Sequence, residues 1–548
     1  MLNKKSLFFV KISLVIVLIF AVFGCANQVR PQGGPKDVTP PVLLKATPPN
    51  NTRHFNVKTI RLDFDEFFKL NNQFTEITMS PTPEKQPDIK IDGKSLVIKL
   101  KDTLEKNTTY VINFGKAIAD VNEGNLLKNF TYVFSTGEHI DSLSVSGNVT
   151  NSLTQQKEKD VTVMLFPLNK DSVFFGKKKP TIYTSTDTSG NFSLNNLHDG
   201  DYTIYALKET APNKIFDRDD ELIAFLKQPI HLYTDTSGIQ LTLFKQDPLK
   251  YRISEHKFDA DGSMFFVFNK RFNNPSAKII YPAAMDGSKI VEFTPTKDTV
   301  RIYMRNMNFD SLRVAFSDNG KPTDSISVSK GRKEVFKSPV TFKVNIGLSN
   351  KLKPTSDLII TASSAIDTFD PGLITLYEDS VAVSNLNLTR DTSGLKTFRI
   401  KYRWKPDSKY ILAIDNNAFT SINGDKNDKK FYKPFLVDKI ENYSNLTLKV
   451  TVPDTSKQYI VEIFQDPKTV IQSNVITKNT SLVYKNFVTG KYSFRVIYDE
   501  NKNGRWDSGN VKLKKYPENI WISPTQLTLR ANWDAEEKLD IPREKTVQ

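Results

Sequence analysis

Nine consecutive residues, Asp499-Glu500-Asn501-Lys502-Asn503-Gly504-Arg505-Trp506-Asp507, concentrate oxygen-bearing side chains at alternate positions. Asp499, Asn501, Asn503 and Asp507 occupy positions 1, 3, 5 and 9 of the run, Arg505 offers its carbonyl at position 7, and Gly504 permits a sharp turn at position 6. An all-oxygen set of this kind suits a hard cation such as calcium. Only two of the donors are carboxylates, so weak affinity is expected. The same residue types also build a plain polar hairpin turn with no metal, because Asn and Asp bond their own backbone and Gly takes positive φ. Both readings stand at this level. Trp506, inside the run, is a candidate glycan-binding platform; its competing role is that of an anchoring tryptophan.

The rest of the chain offers little chemistry. The five histidines, His54, His139, His198, His231 and His256, show no metal-binding spacing. There is no Gly-x-Ser-x-Gly elbow and no phosphate loop. No enzyme is expected and no cofactor is required; calcium at the loop would be an optional ion. The one cysteine, Cys25, follows a basic start (Lys4, Lys5, Lys11) and an apolar run from Ile12 to Phe23 that is short for a membrane span.

Val22-Phe23-Gly24-Cys25 resembles a bacterial lipobox, although Phe23 is bulkier than the usual residue there. That resemblance implies a signal peptide over residues 1–24 and lipidation of Cys25. Residues 25–37 would form the tether, rich in Pro and Gly. Two acyl chains suffice for stable anchoring. Ala26 after the cysteine, in place of aspartate, leans towards the outer membrane, on its periplasmic face or at the cell surface. With Cys25 lipidated no disulfide can form, so every core must hold by apolar burial. Formal charge is +15, and removing the three signal lysines leaves +12. That balance favours anionic envelope partners over nucleic acid, while the short basic clusters, such as Lys177 to Lys179, are read first as solvated loop charge.

Beyond the tether the pattern is strand after strand. Ile60-Arg61-Leu62-Asp63-Phe64 alternates apolar and polar residues, as do Leu96 to Leu100 and Tyr110 to Phe114. Turn formers separate them: Pro48-Pro49-Asn50-Asn51, Asp92-Gly93-Lys94 and Asn122-Glu123-Gly124-Asn125. The spacing predicts an all-β chain of tandem β-sandwiches with very little helix. Gly33-Gly34-Pro35-Lys36-Asp37 with Pro40-Pro41, then Ile60 to Phe67, Tyr110 to Asn125 and Tyr132 to Thr136, resembles Bacteroidetes-type lipoproteins. Their first module is a bacterial Ig-like domain similar to those of surface-layer proteins. Residues 139–247, with Thr186 to Leu194 and Gly200-Asp201-Tyr202, are similar to transthyretin-like sandwiches.

Both patterns recur. Tyr110 and Gly124 match Tyr410 and Gly424; Leu197…Gly200-Asp201-Tyr202 matches Phe487…Gly490-Lys491-Tyr492. Met264 to Phe272 echoes Ile60 to Phe68. The expected division is 38–138 Ig-like, 139–247 transthyretin-like, 248–345 and 346–440 Ig-like, and 441–548 transthyretin-like. Asp217 to Glu221 is read as the earlier, glycine-free counterpart of the Asp499 loop. Asp-Ser/Thr-aliphatic triplets, such as those at Thr103, Ser142 and Ser172, resemble O-glycosylation sites and serve equally well as unmodified turns. The chain is expected to be a lipid-anchored rod acting as a non-enzymatic scaffold that docks an outer-membrane protein complex. Glycan binding or adhesion is the alternative.

Overall fold

The computed structural model describes residues 37–544, apart from 129, 169–179, 181, 211–212, 332–335, 337, 348, 392–393 and 467–468. The signal segment, Cys25 and nearly all of the tether lie outside the described residues, as do Lys177 to Lys179 and the Ser172 triplet. The chain divides into two units, Met1–Ser142 and Leu143–Gln548. Strands dominate both. Among the described residues no helix is long and apolar enough to cross a membrane.

In the first unit, Thr59–Phe64 buries Ile60, Leu62 and Phe64 and turns Thr59 and Arg61 outward, as the pleat requires. It sits in a four-stranded sheet ordered Leu43–Thr47, Thr59–Phe64, Ser95–Lys99, Asp88–Asp92. A three-stranded sheet of Thr78–Ser80, Thr109–Asn113 and Thr131–Ser135 supplies further core side chains. Phe68–Leu70 pairs separately with Ile118–Asp120. One apolar core collects Leu62, Phe64, Ile98, Tyr110, Ile112 and Phe134. Tyr110 stacks on Phe134 with ring centroids 5.4 Å apart.

The second unit contains four further cores, centred on residues 145–243, 264–328, 340–437 and 446–541. The core around residues 340–437 repeats the pairing of the first unit. Phe342–Val344, Leu358–Ala362, Thr397–Ile400 and Leu388–Arg390 form its four-stranded sheet, and Ile366–Phe369 pairs with Phe419–Ser421. The likeness reaches single bonds. The Glu105 N–H donates to the Tyr110 hydroxyl at 2.9 Å, and the Lys405 N–H to the Tyr410 hydroxyl at 3.0 Å. Gly124 and Gly424 both take positive φ, 78° and 84°. The core around residues 264–328 has the same four- and three-stranded sheets without the small pair.

The other two cores are also copies of one design. In each, a strand pairs in parallel with the last strand of its copy: Leu143–Asn151 with Thr236–Lys245, and Ser444–Thr451 with Trp533–Asp540. In each, a long strand opens at a Gly-x-Tyr, Gly200–Lys208 and Gly490–Asp499. Gly200 and Gly490 have φ of 147° and 150°, which a β-carbon disfavours. The Tyr202 hydroxyl donates to the His198 carbonyl at 3.0 Å, and that of Tyr492 to the Val488 carbonyl at 2.8 Å. A tyrosine bonded back to the backbone a few residues upstream fixes a corner of the sandwich.

The second unit is not a simple string of modules, as a rod requires. The copy near its C-terminal end folds back onto the copy at its start, because a long return loop carries apolar side chains that bury there.

Candidate functional site

The long strand of each copy ends in a carboxylate that nucleates a loop. Asp499, 2% exposed, accepts the Asn503 N–H on Oδ1 at 3.1 Å and the Gly504 N–H on Oδ2 at 2.7 Å; the Gln458 amide also donates to Oδ2 at 2.7 Å. Asn503 accepts the Arg505 N–H at 3.0 Å and passes its amide to Asp507 at 2.8 Å. Asn501 also donates to Asp507. The side chains of Asp499, Asn501, Asn503 and Asp507 are therefore brought together, with their oxygens engaged by N–H groups of the same loop, and Arg505 reaches Asp507 through its guanidinium at 3.4 Å. Among the described residues no group of three His, Cys, Asp or Glu converges as a metal site. A calcium ion at this loop would have to exchange some of those N–H bonds for metal bonds.

Glu518 closes the loop from behind. It is 4% exposed and accepts the Glu500 N–H at 3.0 Å and the Asp507 N–H at 2.9 Å. Burial, with the neighbouring charges of Asp507 and Asp499, pushes its carboxyl up to about 7. This residue escaped the sequence reading because it lies far along the chain from the motif.

The counterpart in the first copy is Glu209 to Asp217, not Asp217 to Glu221, and its described residues run in step with those of the later loop. Glu209 accepts the Asn213 and Lys214 N–H groups, both at 2.7 Å. Asn213 accepts the Ile215 N–H at 2.7 Å and donates to Asp217 at 3.1 Å. Lys214 stands where Gly504 does, at φ 63° against 75°. Glu221, 1% exposed, takes the place of Glu518 and accepts the Asp217 N–H at 3.0 Å. Burial raises its carboxyl as well. Sequence reading placed the counterpart eight residues late because it sought an aspartate at the start of the loop, where the frame accepts a glutamate.

The return differs. Ten residues separate Asp507 from Glu518, where three separate Asp217 from Glu221. The longer return lies on the outer sheet face of the first copy. Val511, 1% exposed, packs among Met164, Phe166, Leu207, Ile223 and Phe244. Tyr516 stacks on Phe225 at 5.0 Å. The Lys514 ammonium donates to the Tyr205 hydroxyl at 2.8 Å, the Val511 N–H to Gln246 at 2.8 Å, and the Lys227 N–H to the Tyr516 hydroxyl at 3.1 Å. A β-carbon at Gly509 would meet the Phe244 ring at 2.7 Å, so the close approach depends on glycine there. This clasp was not foreseen. A signal for it exists: Val163-Met164-Leu165-Phe166 is a continuous apolar run, as expected of a strand covered on both faces.

Trp506 belongs to the clasp. Its indole N–H donates to the Glu518 carbonyl at 2.9 Å, and its ring packs against both the shared core and the outer face of the second copy's sheet at Ile460, Ile497 and Ile520. It also lines a cleft of about 610 Å³ with Tyr251, Arg495 and Arg505. Trp404 is buried and bonds the Ser356 carbonyl, whereas Trp533 is 45% exposed. Of the candidate glycosylated hydroxyls, Thr103 and Ser142 are exposed.

A second contact joins the cores around residues 264–328 and 340–437. Lys396 pairs with Asp261 at 2.7 Å, and Asn423 donates to the Asp261 carbonyl at 2.7 Å. Burial opposes charge on Asp261, but the Lys396 ammonium and the Ser263 hydroxyl outweigh it and hold the carboxyl below its ordinary range.

Residues 37–136 match the family model of a bacterial Ig-like domain. No curated protein matches the chain by sequence. Solved structures with some likeness include the major pilin subunit BcpA of Bacillus cereus, at 10% identity over 73% of this chain and 99% of that one, TM-score 0.14. The Bacillus anthracis TIE protein is 10% identical over 93% and 75%, TM-score 0.14. Native α2-macroglobulin of Escherichia coli, spanning domains MG0-NIE-MG1, is 11% identical over 35% and 88%, TM-score 0.18. Likeness this distant carries no property across to the present chain.

Proposed function

We propose that the chain is a non-enzymatic scaffold of a bacterial envelope, anchored to the outer membrane through lipid on Cys25 and docking an outer-membrane protein. The Ig-like match over residues 37–136 and the succession of β cores support a structural or adhesive role. The observation that carries the reading is the clasp. Buried side chains from residues 506–516 tie the last copy to the first, so residues 143–544 present partners with a braced body in place of loosely tethered modules. The finer reading takes these two copies as transthyretin-like spacers. The test is whole-cell crosslinking followed by isolation of the chain, with mass spectrometry of its processed N-terminus. The expected result is a diacylated Cys25 and one stoichiometric outer-membrane protein. A bare thiol on a mature product, or no protein partner, defeats the proposal.

Glycan binding has one observation in its favour: Trp506, Tyr251 and Arg505 share the cleft described above. Tryptophan fluorescence titrated with acidic and neutral oligosaccharides tests it. A saturable change abolished by Arg505→Ala supports the reading, and a flat titration removes it.

A further inference from the structure

Strands at the margin of a sheet are normally protected by charge, proline or shortness. This molecule follows that practice at most of its margins. Asp88–Asp92 carries Asp88, Lys90 and Asp92; Ile253–Phe258 carries Glu255 and Lys257; Ile520–Leu529 is interrupted by Pro524. The longest margin with neither charge nor proline departs furthest from it; Asn191–Leu197 and Thr131–Ser135 also lack both but bury their apolar side chains. That longest margin, Thr469–Ile476, sequence TVIQSNVI, ends its four-stranded sheet and pairs only with Gln458–Asp466, in unbroken register from Gln472 to Ile476 and with register shifts on the Thr469 side of Gln472. It has eight residues with no charge and no proline, and Val470, Ile471 and Val475 are 38%, 38% and 50% exposed. Its counterpart in the first copy, Ile182–Ser185, has four residues. The next strand, Thr480–Phe487, ends the facing sheet and exposes Val483 at 59%. The sandwich is therefore open along this side.

The charge beside this edge is mainly positive, with the exposed Asp466 opposite Thr469 as the acidic group at its near end. Residues 469–498 include the exposed lysines Lys478, Lys485 and Lys491 and no Asp or Glu. We infer that this edge, through its regular part Gln472–Ile476, receives an extended strand from a partner protein, with apolar residues at alternate positions and carboxylates at the end beside Lys478. Main-chain hydrogen bonds would supply affinity, the exposed valines would select side chains, and the lysines would set the flanking charge. A second copy of this chain fits less well, since it would bring the same lysines together. The inference rests on the docking reading above and assigns that docking to one edge.

The probe is a tagged peptide with two glutamates at each end of an alternating threonine–valine hexamer, so that either strand direction places carboxylates beside Lys478, followed by fluorescence anisotropy with the full chain. Saturable binding is expected. It should weaken at least tenfold when proline replaces a central residue of the peptide, when lysines replace its glutamates, and in the Ile471→Lys/Val475→Lys chain. Unchanged thermal unfolding of that double variant, with Ser473→Lys as a milder second variant, separates a blocked edge from a damaged fold. Equal binding by the edge variants or by the proline peptide overturns the inference, as does self-association of the chain that the edge variants abolish. If crosslinking to the envelope partner survives in the edge variants, the docking reading stands and the edge assignment falls.

Discussion

The loops Glu209 to Asp217 and Asp499 to Asp507 share one hydrogen-bond frame and put it to different ends. In both, a carboxylate at the strand end gathers two N–H groups, an asparagine bridges to an aspartate, and a buried glutamate closes the back. The earlier loop returns to the sheet at once. The later one first makes a longer excursion that buries Val511 and Tyr516 against the other copy. The shared frame is thus a chassis for turning the chain, and the added residues turn it into a clasp. Oxygen-rich spacing therefore reports the chassis first, and any ion is an addition to it.

The comparison breaks most decisively at the clasp. Val511→Asp, placing a lone carboxylate in the shared core, is expected to destabilise by about 4 kcal/mol. The equivalent insult has no site in the earlier loop, and urea unfolding of the chain measures the loss. Gly509→Ala should act in the same direction, because the new methyl meets the Phe244 ring and the Lys515 carbonyl. Protease cleavage within residues 508–516 should accelerate in both variants, and clasp variants that stay resistant would refute the packing argument.

The next effect is on pH. Glu518 titrates at about 7 in the folded chain against an ordinary 4.5. Folding therefore favours its protonated form. Its contribution is complete below about pH 4.5 and fades as pH rises through about 7, by roughly 3 kcal/mol. Glu518→Gln should flatten that part of the stability profile. A wild-type profile unchanged between pH 4.5 and 7.5 would contradict the burial argument.

Smaller effects sharpen the equivalence of the copies. Tyr202→Phe and Tyr492→Phe each remove one corner hydrogen bond and should each cost about 1 kcal/mol; a large disparity would separate the two corners. Gly504→Ala should cost about 1 kcal/mol, and Lys214→Gly should gain up to about as much, since it takes a side chain out of the left-handed position. Calcium gives the last test. If the Asp499 loop takes the ion, millimolar calcium raises the unfolding temperature of wild type and not of Asp507→Asn. No shift leaves the loop as a hydrogen-bonded turn.

Much of the β architecture was legible because alternation is a local signal. Ile60, Leu62 and Phe64 declare their face within six residues, and Gly-x-Tyr declares a corner within three. The hydrogen-bonding side chains of the Asp499 loop were legible for the same reason. The closing glutamates were not, since the return between Asp507 and Glu518 has no fixed length. The clasp was hidden for a deeper reason. Whether Met164, Phe166 and Tyr205 face solvent depends on Val511 and Tyr516, some 300 residues away along the chain. A continuous apolar run announces that both faces are covered and leaves the cover unnamed.

Closing the last copy onto the first turns the intervening polypeptide into a lariat. Tension entering near residue 143 and leaving near residue 544 would cross at Val511, Tyr516 and Lys514 before reaching the two sandwiches within the loop. Those inner sandwiches would stay slack until the clasp parts, and its release would then pay out a long stretch of still-folded chain.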